Sequence, residues 1–255
     1  MQPGDNQLTV VEEVDWKVGQ EILITSTDYD MNHAELHEIT ALVNDGAKTT
    51  ITLKSTFKYK HYAAVEQHGD DLLTIRAEVC LMSRNIIYRG DPETSAKNQF
   101  GAHIMLHSPG DESVIGRIEN LQLNDVGQAF LLGKYPIHYH MIGRVTKSYV
   151  RNNAVNRSYN RGTTIHGVKY LRVEWNCYYD VMGHAVFVED GAETKNYIAY
   201  NVAAVTKPSW SLLNTDQTPG NFWITHPDNI LVGNRAAGSS EYGFWMDYQE
   251  TPTGP

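Results

Sequence analysis

The chain has 255 residues, of which 41% are hydrophobic and 20% are charged, a composition typical of soluble globular proteins. Its net charge of -9 argues against a nucleic-acid partner, because phosphates require a basic surface. No apolar run reaches the roughly 18 residues that a membrane-spanning helix needs, so we predict no membrane insertion for this segment.

The N-terminal part alternates short apolar runs with turns. Glu38–Val43 and Thr49–Leu53 flank Asn44-Asp45-Gly46, a strong signal for a β-hairpin, so we predict a small β domain here. Residues 58–72 are polar and are predicted to connect this domain to the repeats of the C-terminal part. One polar segment is predicted to be a solvated loop, with a metal site as the alternative; it contains Asp28, Asp30, His33, Glu35 and His37.

From residue 120 onward one short pattern returns: a branched aliphatic residue, two further residues, and an asparagine. These asparagines are 23 to 33 residues apart; they are Asn124, Asn153, Asn176, Asn201 and Asn234. The intervening runs are rich in β-branched and aromatic residues and lack a helical period. Such a repeat predicts one coil of a parallel β-helix per copy.

Each asparagine is predicted to lie at a tight corner. There its side chain can bond neighbouring backbone, and it tolerates the left-handed conformation, so stacked corners would form a ladder. The alternative is that these residues mark hairpin turns of an antiparallel protein. We therefore predict an all-β chain in which residues 1–80 are part of a small β domain and residues 81–255 form a right-handed parallel β-helix. An insertion at residues 206–219 is expected to project from one face and to wall a groove.

Several strands that come after a glycine end in histidine or an acid. Strands at equivalent positions of successive coils stack about 4.8 Å apart, so polar residues of equal phase form a column. The predicted column contains His138 or His140, His166, Glu189, His226 and Asp247. His138 and His140 share one face because they are two apart on a strand.

This column allows three interpretations. A His-x-His pair with His166 or His184 and a carboxylate could bind a divalent metal, either calcium or zinc; the candidate ligands are His138, His140, His184 and Glu189. Acid–base chemistry on a sugar is the second; its candidate catalytic residues are His138, His140, His184, Glu189 and Asp190. A purely structural ladder of hydrogen bonds is the third.

Aromatic and basic residues accompany the coils. Tyrosine and tryptophan rings can stack on sugars, and arginines can bind uronate or sulfate groups. The candidate glycan-binding residues are Tyr135, Tyr139, Arg144, Arg161, His166, Trp210, Trp223, His226 and Asp247. Packing in the core and a solvated surface are the alternative explanations for the aromatic and the basic residues respectively.

Three motifs, Tyr135–His140, Gly183–Gly191 and Phe222–Pro227, resemble the fibrocystin-L and cell-surface hyaluronidase (cell-migration-inducing hyaluronidase) family, and the resemblance covers nearly the whole chain. It implies that residues 1–80 are the latter part of a G-eight domain and that the remainder is a pectate-lyase-like β-helix. It also implies an extracellular or cell-surface segment of a larger chain.

Carried over by position, the family's motif residues here are His138, His140, His166, His184, Glu189, Asp190 and His226. Two departures from the family pattern are a start inside the first domain and a shortened insertion after Lys207-Pro208. The resemblance and the column together allow three hypotheses for the function. The first is a carbohydrate-interacting module that contacts an acidic glycan such as hyaluronan. The second is an endo-acting, hyaluronidase-like enzyme, and the third is a structural spacer in a surface coat.

Overall fold

The chain folds into two compact units, Met1–Ser83 and Arg84–Pro255. The computed structural model describes residues 1–108, 110–210 and 214–253, without the side chain of residue 214. The first unit ends three residues beyond the boundary expected from the sequence, because the strand at residues 79–81 pairs with a strand of that unit.

The first unit is an antiparallel β domain. Its strands are β1 (Gln7–Val10), β2 (Glu21–Ile24), β3 (Glu35–Asn44), β4 (Thr49–Leu53), β5 (Glu66–His68), β6 (Asp71–Leu73) and β7 (Val79–Leu81). Five of them form a sheet in the order β1-β4-β3-β2-β7, and β5 pairs with β6. The pairing of β3 with β4 confirms the predicted hairpin, whereas the predicted connector at residues 58–72 contains most of the β5–β6 hairpin.

The polar segment before β3 separates into two parts. Asp28 and His33 are solvent-accessible and hydrogen-bonded to each other, as expected for a surface loop. Glu35 and His37 belong instead to β3 and are buried, because they alternate with Leu36 and share the inward face with Ile39. For these two residues the expectation of a solvated loop is wrong.

Glu35, His37 and His61 form a group that we call the Glu35 cluster. Glu35 accepts hydrogen bonds from the backbone of residues 58 and 59 at 3.0–3.1 Å and from His61 Nε2 at 3.0 Å. The other nitrogen of His61 contacts the Thr25 carbonyl at 2.9 Å. His37 Nε2 lies 3.4 Å from Glu35 Oε2. The carboxylate is therefore surrounded by donors of its own unit.

The second unit is a parallel β-helix. Its elements are β8 (Ile86–Arg89), α1 (Ser95–Asn98), β9 (Ile104–His107), β10 (Arg117–Glu119), β11 (Leu121–Val126), β12 (Ile137–Arg144), β13 (Tyr149–Arg151), β14 (Ala154–Ser158), β15 (Thr163–Lys169), β16 (Arg172–Glu174), β17 (Cys177–Met182), β18 (Val186–Val188), β19 (Tyr197–Ala199), β20 (Val202–Lys207), β21 (Gly220–Ile224), β22 (Ile230–Val232), β23 (Arg235–Ala236) and β24 (Tyr242–Met246). Every third strand joins the same sheet. The first sheet has the order β8-β11-β14-β17-β20-β23, the second β9-β12-β15-β18-β21-β24, and the third β10-β13-β16-β19-β22. All pairings within these sheets are parallel, which confirms the predicted fold.

The core of the β-helix consists of aligned rows of apolar side chains. On the second sheet, the register places Tyr139, Ile165, Val188 and Ile224 in one inward row, and all four are buried. Burying each of the three aliphatic side chains contributes roughly 1.5–3 kcal/mol. Because neighbours on a strand point to opposite faces, the residues between them face outward and are available to build a site.

An asparagine ladder runs along the corner after the third sheet. The Nδ2 group of Asn153 donates to Asn176 Oδ1, Asn176 donates to Asn201, and Asn201 donates to Asn234, at 2.9–3.0 Å. A second, shorter ladder joins Asn196 to Asn229 at 3.0 Å. The predicted ladder is confirmed for these repeats.

Two details of that ladder differ from expectation. Asn124 is not a rung, because it pairs with Asn156 inside the first sheet; Leu121 occupies the corner, and its backbone N–H donates to Asn153 Oδ1 at 3.0 Å. The left-handed residue of each corner precedes the asparagine, as at Trp175 and Tyr200, which both have φ of 57°. The asparagine side chain thus ties the corner from the next position in the chain.

Candidate functional site

The candidate site lies on the outer face of the second sheet. The register pairs His140 with His107 on one side and with His166 on the other. Glu189 continues this row, since its backbone N–H donates to the Ile165 carbonyl at 3.1 Å. The sequence-predicted alignment of His140, His166 and Glu189 therefore holds.

A second outward row runs beside the first. His138 pairs with Thr164, Thr164 with Phe187, and Phe187 with Trp223, and all four are buried although they point away from the core. Other parts of the chain therefore cover this row. The row of His140, His166 and Glu189 is only partly covered, so the face opens towards solvent along that row.

Three imidazoles meet where the two rows adjoin. One ring nitrogen from each of His138, His140 and His166 lies within 4.8 Å of the other two. The Nδ1 atoms of His140 and His166 are 3.0 Å apart, and His138 Nδ1 donates to the Gly133 carbonyl at 2.9 Å. We call His138, His140 and His166 the three-histidine cluster.

Burial sets the charge of this cluster. It lowers the pKa of His138 to about 3, and the neighbouring rings of His140 and His166 contribute to that decrease. The pKa of His140 is lowered by burial first and then by His166 and His107. Both rings are consequently neutral at physiological pH and present a lone pair.

Two consecutive carboxylates flank His166. Asp190 Oδ2 lies 2.7 Å from His166 Nε2, and Glu189 Oε2 lies 3.4 Å from His166 Nδ1. Burial raises the pKa of Glu189, while the positive charge of Arg161 opposes that rise. The two acids thus contact opposite nitrogens of one imidazole.

Arg161 connects the cluster to the insertion at residues 206–219. Its side chain is fully buried, and its Nε and Nη2 donate to the two carboxylate oxygens of Asp216 at 2.8 Å each. Its Nη1 donates to the Tyr135 hydroxyl at 3.2 Å and lies 3.5 Å from Glu189 Oε1. A bidentate pair of this kind fixes the position of the guanidinium and hence of Glu189. Residues 211–213 of the insertion lie outside the described residues.

His184 does not join the three-histidine cluster. It lies before β18, where the register aligns Ala185 with Gly162 and therefore His184 with Arg161. Its Nδ1 accepts from the backbone of Gly220 at 3.1 Å, and its Nε2 is 3.7 Å from Asp216. Of the two histidines that the sequence offered as the third ligand, His166 lies in the group with metal-ligand spacing and His184 lies outside it.

Of the last two residues in the predicted column, His226 lies outside it and Asp247 lies in it. The register aligns Thr225 with Glu189, so His226 falls one position beyond and lies in a turn, where its Nδ1 accepts from the backbone of Asp228. Asp247 comes directly after Met246, the partner of Ile224, and so lies opposite Thr225. The column therefore continues through Thr225, and placing His226 in it is wrong.

Several predicted glycan-binding side chains are enclosed by protein. Tyr139 points into the core and donates to the Gly116 carbonyl at 2.8 Å. Tyr135 and Arg161 are also fully buried, and Trp223 packs on His184 with ring centroids 4.5 Å apart. Direct contact of these four side chains with a polymer is excluded, because the fold covers them.

The remaining predicted glycan-binding residues lie apart from the cluster. Arg144 ends β12 and lies over the Tyr170 ring, 4.5 Å from its centroid. Trp210 is 75% exposed and belongs to the insertion. Both are accessible, and only His166 of the predicted binding set lies inside the three-histidine cluster.

Three contributing residues were missed in the sequence. His107 could have been found, because Ile104–His107 repeats the spacing of Ile137–His140. Asp216 gives no such signal, since its partner Arg161 is 55 positions away. Glu193, which is buried and accepts from the backbone of Gly167 and Gly191 at 2.8–2.9 Å, lies just after the two acids in the chain.

The family model for the CEMIP β-helix matches residues 99–255 of the chain. The chain belongs to the CEMIP β-helix family. It is 38% identical to fibrocystin-L of Mus musculus over 99% of its own length, and it spans about 7% of that relative. It is 32% identical to the cell surface hyaluronidase CEMIP2 of Homo sapiens over 97% of its length, which is 20% of that protein.

A third relative bears on the first unit. A G8 domain-containing protein of Dictyostelium discoideum is 31% identical over 98% of the chain, which corresponds to 18% of that protein. The resemblance noted in the sequence is confirmed by these relatives. The assignment of residues 1–80 to a G-eight domain stays a prediction. Among the described residues, no helix has the length and hydropathy needed to cross a bilayer.

Proposed function

We propose that the chain is a glycan-contacting β-helix module of a cell-surface or extracellular protein, with an acidic polysaccharide such as hyaluronan as its ligand. The observation that carries the proposal is the open outward row of His107, His140, His166 and Glu189. Four strands at this spacing extend about 14 Å, a length suited to several linked sugars. Alignment of nearly the whole chain with CEMIP2, which is named a cell surface hyaluronidase, supports this ligand class.

The charge of the site suits a polar sugar chain. Imidazoles and carboxylates together can donate to and accept from hydroxyl and carboxylate groups. The chain carries a net charge of -9, so a polyanionic ligand needs local positive charge or a bridging cation. Arg161 lies directly behind Glu189 and reduces the negative potential of that carboxylate.

Binding of hyaluronan oligosaccharides by calorimetry tests the proposal. We expect His140→Ala and His166→Ala to weaken binding at least about tenfold, the effect of losing roughly 1.4 kcal/mol. His226→Ala is the matched control, since His226 lies outside the row, and it should bind like the wild type. Failure of the wild-type chain to bind any acidic glycan would overturn the proposal.

A second candidate function is hyaluronidase-like cleavage. It is favoured by the two carboxylates, Glu189 and Asp190, on opposite nitrogens of His166. Glycoside cleavage commonly uses a pair of carboxyl groups as acid and as base or nucleophile. Sizing of hyaluronan after incubation, with and without a divalent metal, tests this candidate. Unchanged polymer under both conditions refutes hyaluronidase-like cleavage. Shortening of the polymer by the wild-type chain, but not by Asp190→Asn, supports it.

A further inference from the structure

In two rings of the three-histidine cluster, His138 and His166, one ring nitrogen makes a hydrogen bond that fixes the orientation of the other. His138 Nδ1 donates to the Gly133 carbonyl at 2.9 Å, and a carbonyl can only accept, so the proton is on Nδ1. Its Nε2 then carries a lone pair. That atom is buried and has no hydrogen-bond partner among the described residues, although His138 as a whole is only 1% exposed.

His166 is oriented in the same manner by a carboxylate. Asp190 Oδ2 lies 2.7 Å from His166 Nε2, which places the proton of the neutral ring there and leaves Nδ1 as an acceptor. Histidines that bind metals almost always donate their other N–H to a carboxylate or a backbone carbonyl. His166 has a carboxylate partner of this kind, and His138 has a backbone carbonyl.

Two distances between the inward atoms lie near the separation expected for the ligands of a tetrahedral ion. A metal with ligand bonds of about 2.0–2.1 Å separates its ligand atoms by about 3.3 Å. His166 Nδ1 lies 3.0 Å from His140 Nδ1 and 3.4 Å from Glu189 Oε2. Glu189 Oε2 is itself buried and accepts no hydrogen bond from the described residues. Arg161 Nη1 lies 3.5 Å from the other oxygen, Oε1, so Oε2 is the oxygen that faces His166 without a donor.

We propose that His138, His140 and His166 bind a divalent transition-metal ion of the zinc class, each through one ring nitrogen. Three imidazole nitrogens select zinc and its neighbours over calcium and magnesium, which prefer oxygen ligands. Asp190 and the Gly133 carbonyl orient the ligands without touching the ion. The metal site does not depend on glycan binding, and a bound ion would supply positive charge within the row that contains His140 and His166.

Metal binding to the whole, tag-free chain tests the site in the absence of any glycan. After treatment with a chelator, calorimetric titration with Zn²⁺ should give one ion per chain, and Ca²⁺ at the same concentration should not compete. Titration with Co²⁺ should give the visible absorption bands of a tetrahedral ion. Absence of Zn²⁺ binding by the wild-type chain would overturn the proposal, whatever the result for hyaluronan.

Two substitutions locate the ion. His140→Ala should abolish stoichiometric binding, and because His140 is partly exposed the variant should fold, which circular dichroism checks. Asp190→Asn should weaken Zn²⁺ binding about 10- to 100-fold, as is usual for groups that orient a ligand. His226→Ala is the control and should bind Zn²⁺ normally. Equal losses in His226→Ala and His140→Ala, or none in His140→Ala, would place the ion elsewhere and refute this assignment.

Discussion

Among the described residues, each compact unit buries histidine together with glutamate, and the two groups differ in how their carboxylate oxygens are satisfied. In the Glu35 cluster both oxygens of Glu35 accept hydrogen bonds from the chain itself. Both nitrogens of His61 have acceptors, namely Glu35 and the Thr25 carbonyl. Such a closed network stabilises its unit and leaves neither Glu35 nor His61 free to bind a ligand.

The three-histidine cluster uses the same residue types with the opposite result. His138 Nε2 and Glu189 Oε2 are buried without hydrogen-bond partners among the described residues. Most buried polar atoms in native proteins have a partner, so each exception calls for an explanation, and a bound ion is one. The two carboxylates therefore differ, since both oxygens of Glu35 accept hydrogen bonds whereas Glu189 Oε2 accepts none from the described residues, although His37 Nε2 of the Glu35 cluster also has no hydrogen-bond partner there.

The largest expected effect is on the closed cluster. Glu35→Ala should lower the free energy of unfolding by about 3–5 kcal/mol, because removing one partner leaves buried donors unpaired. Glu38→Ala is the matched control on the same strand; its carboxylate is 44% exposed and pairs with Lys54, so about 1 kcal/mol or less should be lost. Denaturant unfolding measures both, and hydrogen exchange at β3 reports the location. Equal losses in the two variants would contradict the closed network.

Acid should weaken the Glu35 cluster by a smaller amount. Burial alone would raise the pKa of Glu35, but hydrogen bonds from His61 and from the backbone of residues 58 and 59 outweigh it and hold the pKa below its ordinary value. Burial lowers the pKa of His37. In both cases the unfolded chain binds more protons than the folded chain, so stability falls with falling pH.

The directions of these two pKa shifts set the pH range over which stability is lost. The contribution of His37 is complete above its ordinary pKa of 6.5 and declines below that value. The contribution of Glu35 is complete above its ordinary pKa of 4.5 and is lost as pH falls through its folded pKa. The free energy of unfolding of the first unit should decrease between about pH 7 and pH 3, and Glu35→Gln should flatten the slope in the acidic part of that range. An unchanged slope in Glu35→Gln would refute this linkage.

The smallest effect is expected at the open cluster. Glu189→Gln should change the metal-free stability by less than about 1 kcal/mol, because Oε2 accepts no hydrogen bond from the described residues and Arg161, which lies 3.5 Å from Oε1, keeps its pair with Asp216. Glu35→Gln, which disturbs a satisfied network, should cost more in the same assay. If Glu189→Gln is as destabilising as Glu35→Gln, the open cluster is structural, and its unpaired atoms do not mark a site.

Much of the fold could be predicted from the sequence, because successive coils use the same residue type at the same corner. Asn153, Asn176 and Asn201 each tie a corner, and their spacing indicates the coil length. The same sequence pattern gave a wrong prediction at Asn124, which lies in the strand after the corner and not at the corner itself. A local pattern cannot by itself distinguish a corner from the neighbouring strand.

The site was predicted in part. His140, His166 and Glu189 align because each lies a similar distance after a strand begins. The placement of His226 in the row was wrong, since a shift of one residue at the end of a strand moves a side chain out of the row. Tyr139 could have been placed correctly, because it alternates with His138 and His140 and must face the opposite side.

The ion pair of Arg161 with Asp216 has a consequence for how the solenoid comes apart. Repeat arrays generally unravel from an end, one coil after another, because each coil contacts only its neighbours. Arg161 lies just before β15, and Asp216 comes shortly before β21. Their ion pair therefore joins two coils that have β18 between them. Fraying that starts at β24 should therefore halt at β21, and the coils from β15 to β21 should open as one block in hydrogen exchange.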